Sequence, residues 1–317
     1  MRAVLLSLLM ATGENTTVHI ARYAGDKDAA ASFTFDDGHK SHAAIARLLD
    51  ENGIKATFFV VANWVPAGRT NGPLAKLSWP ELRALADAGH EIGNHSLTHM
   101  NLGSVTNTEV LAAEVDLAAD MITKGTGRAP VSFAYPFCKS NPTVRERILR
   151  RHIVARGYHP LYEGDCPAAI ARPWIDRVLA DGSRHVYLSH GISTNALQAH
   201  LDDIAPLRDR LWIAPYGTVE AYCAALEQAQ LSVTTHGARQ CTFALLLPAD
   251  SPPLLRTTAL TVVIPAADVG SASQIAAEPT DRVVGTEARQ DTILVTVLPS
   301  PGTITVRWSA TTMTGER

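Results

Sequence analysis

The chain reads as an α/β protein: a parallel sheet with crossover helices through its first two thirds, then a small all-β module. Three observations predict this. From Ala29 to about Gln230, short apolar stretches alternate with segments of helical period, the pattern of repeated strand–helix units. Beyond Gln230 the helical period stops, and Pro, Gly, Ser and Asp clusters separate short β-prone runs. Carboxylates and imidazoles collect where three of the predicted parallel strands end, the edge at which such sheets hold ligands. The expected organisation is an N-terminal segment over residues 1–28, an α/β domain over 29–230 and a β-rich domain over 231–317.

Each element has a local reason. Ser32–Phe35 reads as a strand, and Lys40–Glu51 has helical spacing in Ala43, Ala44, Leu48 and Leu49, stopped by Asn52-Gly53. Ala56–Val61 is extended by its Thr, Phe and Val content. Trp79–Ala88 is a helix that Ser78 can cap, Pro80 suits and Gly89 ends. His90–Gly93 runs as a short strand into His95, and a long helix follows from Thr106 to about Thr123. Val131–Tyr135 is a strand, Pro142–Ala155 and Pro173–Asp181 are helices, and Val186–Ser189 is the strand that delivers His190. Leu197–Leu207 and Val219–Ala229 are helical, with Leu211–Ala214 extended between them. Beyond these, Leu231–Thr235, Cys241–Leu247, Leu260–Ile264, Ile293–Val297 and Thr303–Trp308 read as strands of a sandwich-like module.

With 28 Lys and Arg against 31 Asp and Glu, the formal charge is −3, and no basic run interleaves with aromatics. A nucleic-acid partner is not expected. Cys138, Cys166, Cys223 and Cys241 show no Cys-x-x-Cys spacing, which argues against a zinc knuckle or a thioredoxin-like site. Met1-Arg2 followed by the apolar run Ala3–Ala11 has the order of a short signal sequence, so a secreted or periplasmic setting is expected, with a cytoplasmic one as the alternative. No later stretch approaches the roughly 18 apolar residues of a membrane span.

The chemistry concentrates in three places: Thr34-Phe35-Asp36-Asp37-Gly38, His95-Ser96-Leu97-Thr98-His99 and Leu188-Ser189-His190-Gly191. Successive side chains at a strand end point in opposite directions, so one aspartate can hold a metal while the other takes a proton. One Asp and two His form a facial ligand set for a divalent cation, and the spare Asp and His supply acid–base partners. Ser189 lacks the Gly-x-Ser-x-Gly surroundings of a serine nucleophile.

Together with Phe133-Ala134-Tyr135-Pro136-Phe137, these motifs resemble those of the polysaccharide deacetylases, the family-4 carbohydrate esterases. The likeness spans about residues 20–230 and leaves the C-terminal module outside. It implies a distorted (β/α) barrel and metal-dependent removal of acetyl groups from an N-acetylated glycan of chitin or cell-envelope type. Acetylated xylan is the ester alternative, and a catalytically silent carbohydrate-binding protein is the alternative outside enzymology. By the same resemblance Asp36 is the general base, Asp37, His95 and His99 are metal ligands, and His190 is the general acid. The metal implied is zinc first, with cobalt, nickel or manganese as alternatives. A backbone N–H in the loop around Tyr135 would serve the oxyanion, and Tyr135, Phe137 and Trp64 either line the sugar site or pack in the barrel rim.

Two departures accompany the likeness. The third motif usually reads Arg-x-Pro-aromatic-Gly, but Ala134 stands at the arginine and Cys138 at the glycine. Arg172 is the expected substitute for orienting the base, and Asp176 or Asp165 the expected acidic partner of His190. His39 and His42 are expected as solvated helix residues, with an approach to the metal as the alternative, and Trp308 as core or a sugar platform.

Overall fold

A computed structural model of the chain describes residues 17–65, 75–267, 269–270 and 273–309. The leader-like run Ala3–Ala11 lies outside the described residues. Two compact units emerge: one comprises Arg22–Gln228 and Pro248–Thr258, the other Ala229–Leu247, Ala259 onward and residues 17–21.

The strands are β1 (His19–Ile20), β2 (Ala29–Phe35), β3 (Thr57–Val60), β4 (Glu91–Asn94), β5 (Ser132–Ala134), β6 (Val154–Arg156), β7 (Arg184–Ser189) and β8 (Leu211–Ile213). Those from β2 to β8 form a curled seven-stranded parallel sheet in the order β6-β5-β4-β3-β2-β7, with β8 also on β2. The curl is visible in the register of β2. Along its length it pairs with β7 from Ala30 to Phe35, while β8 takes Ala29–Ala31 and β3 takes Thr34 and Phe35. Beyond β7 the chain at Leu161 and Gly164 runs parallel to Leu188 and Ile192, extending the wall toward closure.

Every residue of β2 is buried, as expected for a strand with helices on one side and the barrel interior on the other. Phe33 stacks on Tyr187 at 4.3 Å between ring centroids and Phe35 on Phe58 at 5.3 Å. Each such ring contributes about 1.5–3 kcal/mol by burial. The helix His42–Glu51 turns Ile45, Ala46 and Leu49 inward and stops where Gly53 takes φ +65°. The helix Trp79–Asp87 opens on the expected cap, with Ser78 N–H and Oγ–H both donating to Glu81 Oε2 at 2.9 and 2.7 Å.

One element departs from expectation in a way that matters. The helix expected to run from Pro142 to Ala155 ends at Leu149, and Val154–Arg156 is instead β6, the sheet's outer strand. Ile153 and Val154 are β-branched, and Gly157 follows the strand; this outweighs the helical spacing read across them.

The second unit contains two antiparallel four-stranded sheets. Its further strands are β9 (Gln230–Gly237), β10 (Gln240–Leu246), β11 (Leu260–Pro265), β12 (Ile275–Glu278), β13 (Val283–Arg289), β14 (Thr292–Val297) and β15 (Thr303–Trp308). The sheets run β1-β11-β14-β13 and β12-β15-β10-β9. Cys241, Phe243 and Leu245 alternate inward along β10, and Ile304, Val306 and Trp308 along β15. Trp308 is therefore core, not a sugar platform.

Candidate active site

Asp36 and Asp37 leave the end of β2 with their side chains separated by a left-handed turn, φ +73° at Asp37 and +60° at Gly38. His95 follows β4. Its Nδ1–H donates to the Ala134 carbonyl at 2.8 Å, which leaves Nε2 with a lone pair 3.7 Å from Asp37 Oδ1. His99 Nε2 lies 3.6 Å from the same oxygen. One potential ligand atom from each of Asp37, His95 and His99 falls within 4.8 Å of the others.

The loop that brings both imidazoles round is itself held. Ser96 and His99 sit at φ +69° and +64°, conformations that cost a non-glycine residue about 1–3 kcal/mol and cluster at functional sites. Ser96 N–H donates to Asn94 Oδ1 and His99 N–H to Ser96 Oγ, each at 2.9 Å. Glu114 accepts from Thr98 N–H at 3.0 Å and from Thr98 Oγ–H at 2.6 Å. Glu114 is buried, presented by a π-helical turn, Ala113–Leu117, inside the helical stretch from Thr108 to Thr126. Such turns recur at functional sites because they re-aim one side chain without ending the helix.

Burial lowers the pKa of His95 and His99, so both imidazoles are poised as neutral donors. Burial works against the charge of Asp37, yet a hydrogen bond from His39 and the neighbouring His95, Lys76 and His99 hold its carboxyl well below the usual range. Asp37 Oδ1 is buried and without a hydrogen-bond partner among the described residues. An orphaned anionic oxygen facing two imidazoles, one carboxylate with two nitrogen donors, suits a divalent metal.

Asp36 is buried beside this triad, and its support is not the arginine expected. Arg156, at the end of β6, donates from Nη2 to Asp36 Oδ2 at 2.5 Å and from Nη1 to Thr34 Oγ at 3.1 Å. Its guanidinium also lies 4.9 Å from the centre of the Phe59 ring. Arg172 is exposed and is engaged by Asp176 at 2.8 Å and Asp203 at 3.2 Å, so it does not orient Asp36. The sequence does not readily mark Arg156, because helical spacing from Pro142 onward runs across its strand. The signal was present in Ile153-Val154-Ala155-Arg156-Gly157, a β-prone run ending on a charge.

His190 likewise has an unexpected partner. Glu163 Oε1 accepts from His190 Nδ1–H at 2.9 Å and from its backbone N–H at 2.7 Å, while Oε2 accepts from Gly191 N–H at 2.9 Å. Asp165 instead takes the Ser193 hydroxyl at 2.6 Å, and Asp176 is the partner of Arg172. The hydrogen bond to Glu163 is the main reason the His190 pKa lies above its ordinary value, with Asp36 and Asp37 contributing and partial burial opposing. A His raised in this way adds stability below its unfolded pKa, and that stability disappears as pH rises through the folded value. Glu163→Gln should therefore move the alkaline limb of any His190-dependent rate to lower pH and remove this part of the pH dependence of Tm. An unchanged limb would show that Glu163 does not tune His190.

Several other residues fall differently from expectation. Tyr135 packs its ring among Phe133, Leu102 and Ile148, and its N–H donates to the Arg156 carbonyl at 3.1 Å. That N–H is thus committed to the sheet and does not serve an oxyanion. Phe137 is exposed, its ring 4.7 Å from that of His99, and Trp64 lies 5.2 Å from His99. Phe137 and Cys138 both adopt positive φ, +56° and +57°, which explains the preference for glycine where Cys138 stands. His42 is fully buried beside Phe35 and Phe58 rather than solvated, and its Nε2–H donates to the His190 carbonyl at 3.0 Å.

Residues 24–153 match the model of a family described as polysaccharide deacetylase. Among curated proteins, an uncharacterised Bacillus subtilis protein, YlxY, is 37% identical over 89 residues, 28% of this chain and 24% of that protein. A chitooligosaccharide deacetylase of Rhizobium leguminosarum bv. trifolii is 26% identical over 159 residues, covering 49% of this chain and 66% of that enzyme. A gellan lyase of Bacillus sp. is 29% identical over 139 residues, of which the chain spans only 5% of the relative's length. Among solved structures, a candidate polysaccharide deacetylase of Mycobacterium smegmatis shares the fold. Its TM-score is 0.53 at 16% identity, covering 66% of this chain and 94% of that one.

Proposed function

We propose, from the premise that this chain belongs to the polysaccharide deacetylase family, that it is a metal-dependent hydrolase removing acetyl groups from an N-acetylated glycan. The observation that carries the reading is the convergence of Asp37, His95 and His99 beside Asp36, whose Oδ1 is buried and without a partner among the described residues.

Asp37, His95 and His99 would hold the divalent metal, zinc first, with cobalt, nickel and manganese as alternatives. Bound there, it would polarise the acetyl carbonyl and acidify water. The rest is done by the chain's own side chains. Arg156 fixes Oδ2 of Asp36, so Oδ1 is the oxygen left to take the proton of the attacking water. Glu163 holds Nδ1 of His190, so Nε2 is the nitrogen left to protonate the departing amine. Trp64 and Phe137 offer apolar faces beside His99 on which a sugar ring can rest. A glycan substrate of this kind fits the extracellular or periplasmic setting suggested by the leader-like Ala3–Ala11 run.

The deciding experiment is acetate release from N-acetylated oligosaccharides and from acetylated xylan, with and without a chelator. Chelator-sensitive release from the N-acetyl panel, restored by zinc, is expected. Release from xylan alone would replace the amide reading with an ester one, and release from neither would leave a silent binding protein.

His190→Ala separates the leaving groups. Loss of a general acid costs about 10²–10⁴-fold. The loss should be of that size on an N-acetyl substrate and much smaller on an activated aryl acetate, whose leaving group departs without a proton. Equal losses on both would deny His190 the role of proton donor.

A further inference from the structure

The chemistry above gives no task to His39, which follows the Asp36-Asp37-Gly38 motif directly. The chain there pairs with a short return segment. Lys40 N–H donates to the Ala75 carbonyl at 2.8 Å, Leu77 N–H to the Gly38 carbonyl at 2.9 Å, and His39 and Lys76 form an antiparallel bridge. This pairing seats the Lys76 ammonium 3.4 Å from His39 Nδ1, 3.5 Å from its Nε2 and 4.5 Å from the centre of the Trp64 ring. His39 Nε2 also lies 3.5 Å from Asp37 Oδ2, so with Nε2–H given to Asp37 the nearer nitrogen, Nδ1, is the one left to accept from Lys76.

Asp37 thus divides its carboxylate. Oδ1 faces His95 and His99, and Oδ2 faces His39. A single tautomer, assigned from these neighbours, satisfies both ends of the imidazole: Nε2–H donates to Asp37 while Nδ1 accepts from Lys76. A partner on the far oxygen of a ligating carboxylate fixes its orientation, and losing such a partner typically costs about 10–100-fold in metal affinity. Trp64 joins the same arrangement to the second imidazole, since its ring lies near both the Lys76 ammonium and the His99 ring.

We propose that Lys76 and His39 form an outer hydrogen-bond chain that orients Asp37 and so sets the affinity of the Asp37–His95–His99 site for a divalent metal. This rests on reading that triad as a metal site. His39 is a positioning residue: it acts through Asp37 and touches neither substrate nor metal.

The test is zinc and cobalt affinity of the full chain, measured by competition with a chromophoric chelator. Glutamine at position 39 can still donate to Asp37 and accept from Lys76; leucine fills similar space with no polar atom. His39→Leu should weaken binding about 10–100-fold, and His39→Gln should recover most of it. Lys76→Met should weaken binding in the same direction and add little in the His39→Leu background, because both changes break one chain. Wild-type affinity in His39→Leu, or a His39→Gln variant as weak as His39→Leu, would overturn the proposal. Should His39→Leu fail to fold, Lys76→Met decides alone, unchanged affinity counting against the chain. A wild-type protein that binds neither metal would instead remove the metal reading itself.

Discussion

Asparagine at position 36 is expected to lower turnover by about 10²–10⁴-fold while leaving metal content at the wild-type level. The two effects separate because Asp36 lies beside the ligand triad and is not part of it. An asparagine keeps the shape of the side chain and one oxygen that can accept from Arg156, whose Nη2–H now donates to Asp36 Oδ2. It has no second oxygen to take a proton from water. Elemental analysis with kcat/KM on one N-acetylated oligosaccharide checks both halves. Near-wild-type turnover would make Asp36 a structural partner of Arg156, and loss of metal would place it among the ligands.

The parts of this site legible in the sequence are those in which chemistry and chain direction coincide. Asp36, Asp37 and His190 follow strands with plain apolar runs and His95 follows the short strand Glu91–Asn94, so their residue types and the fold point to the same edge. Their supports were less legible because they come from neighbouring strands and loops, and nothing local marks them. Arg156 is one residue in a chain with many exposed arginines, and its pairing with Asp36 exists only once β6 lies in the sheet. Glu163 sits in a segment held by isolated bridges to β7 at Leu188 and to Ile192 beyond it, too irregular to register as a strand. Arg172 and Asp176 looked plausible as supports for the opposite reason. They lie four apart on the solvent face of a helix, where such pairs form with no functional meaning. His42 was misjudged because the helix bearing it turns that face inward, over Phe35 and Phe58.

Loss of the Arg156 guanidinium should be the more damaging change, because it acts on stability and turnover together. Arg156 and Asp36 are both almost fully buried, and breaking such a pair from one side typically costs about 3–5 kcal/mol. Arg156→Met should therefore lower Tm, and turnover should fall by at least the roughly tenfold expected when a reacting carboxylate loses its orienting partner. The sheet register suggests how to tell orientation from stability. Ala134 and Arg156 are paired residues on adjacent parallel strands, and strands lie about 4.8 Å apart, a distance an arginine can span. The place where the resembled motif has its arginine and the place where this chain carries one are thus neighbours on one sheet. Arginine at position 134 in an Arg156→Ala background should restore part of the lost turnover. The change leaves the Ala134 backbone carbonyl, which holds His95, in place. Rescue of kcat without recovery of Tm would mark the interaction as one that aims Asp36. A folded Arg156→Ala protein with wild-type kcat would show that Asp36 needs no such partner. A folded double variant no faster than the single would show that the guanidinium must approach from β6.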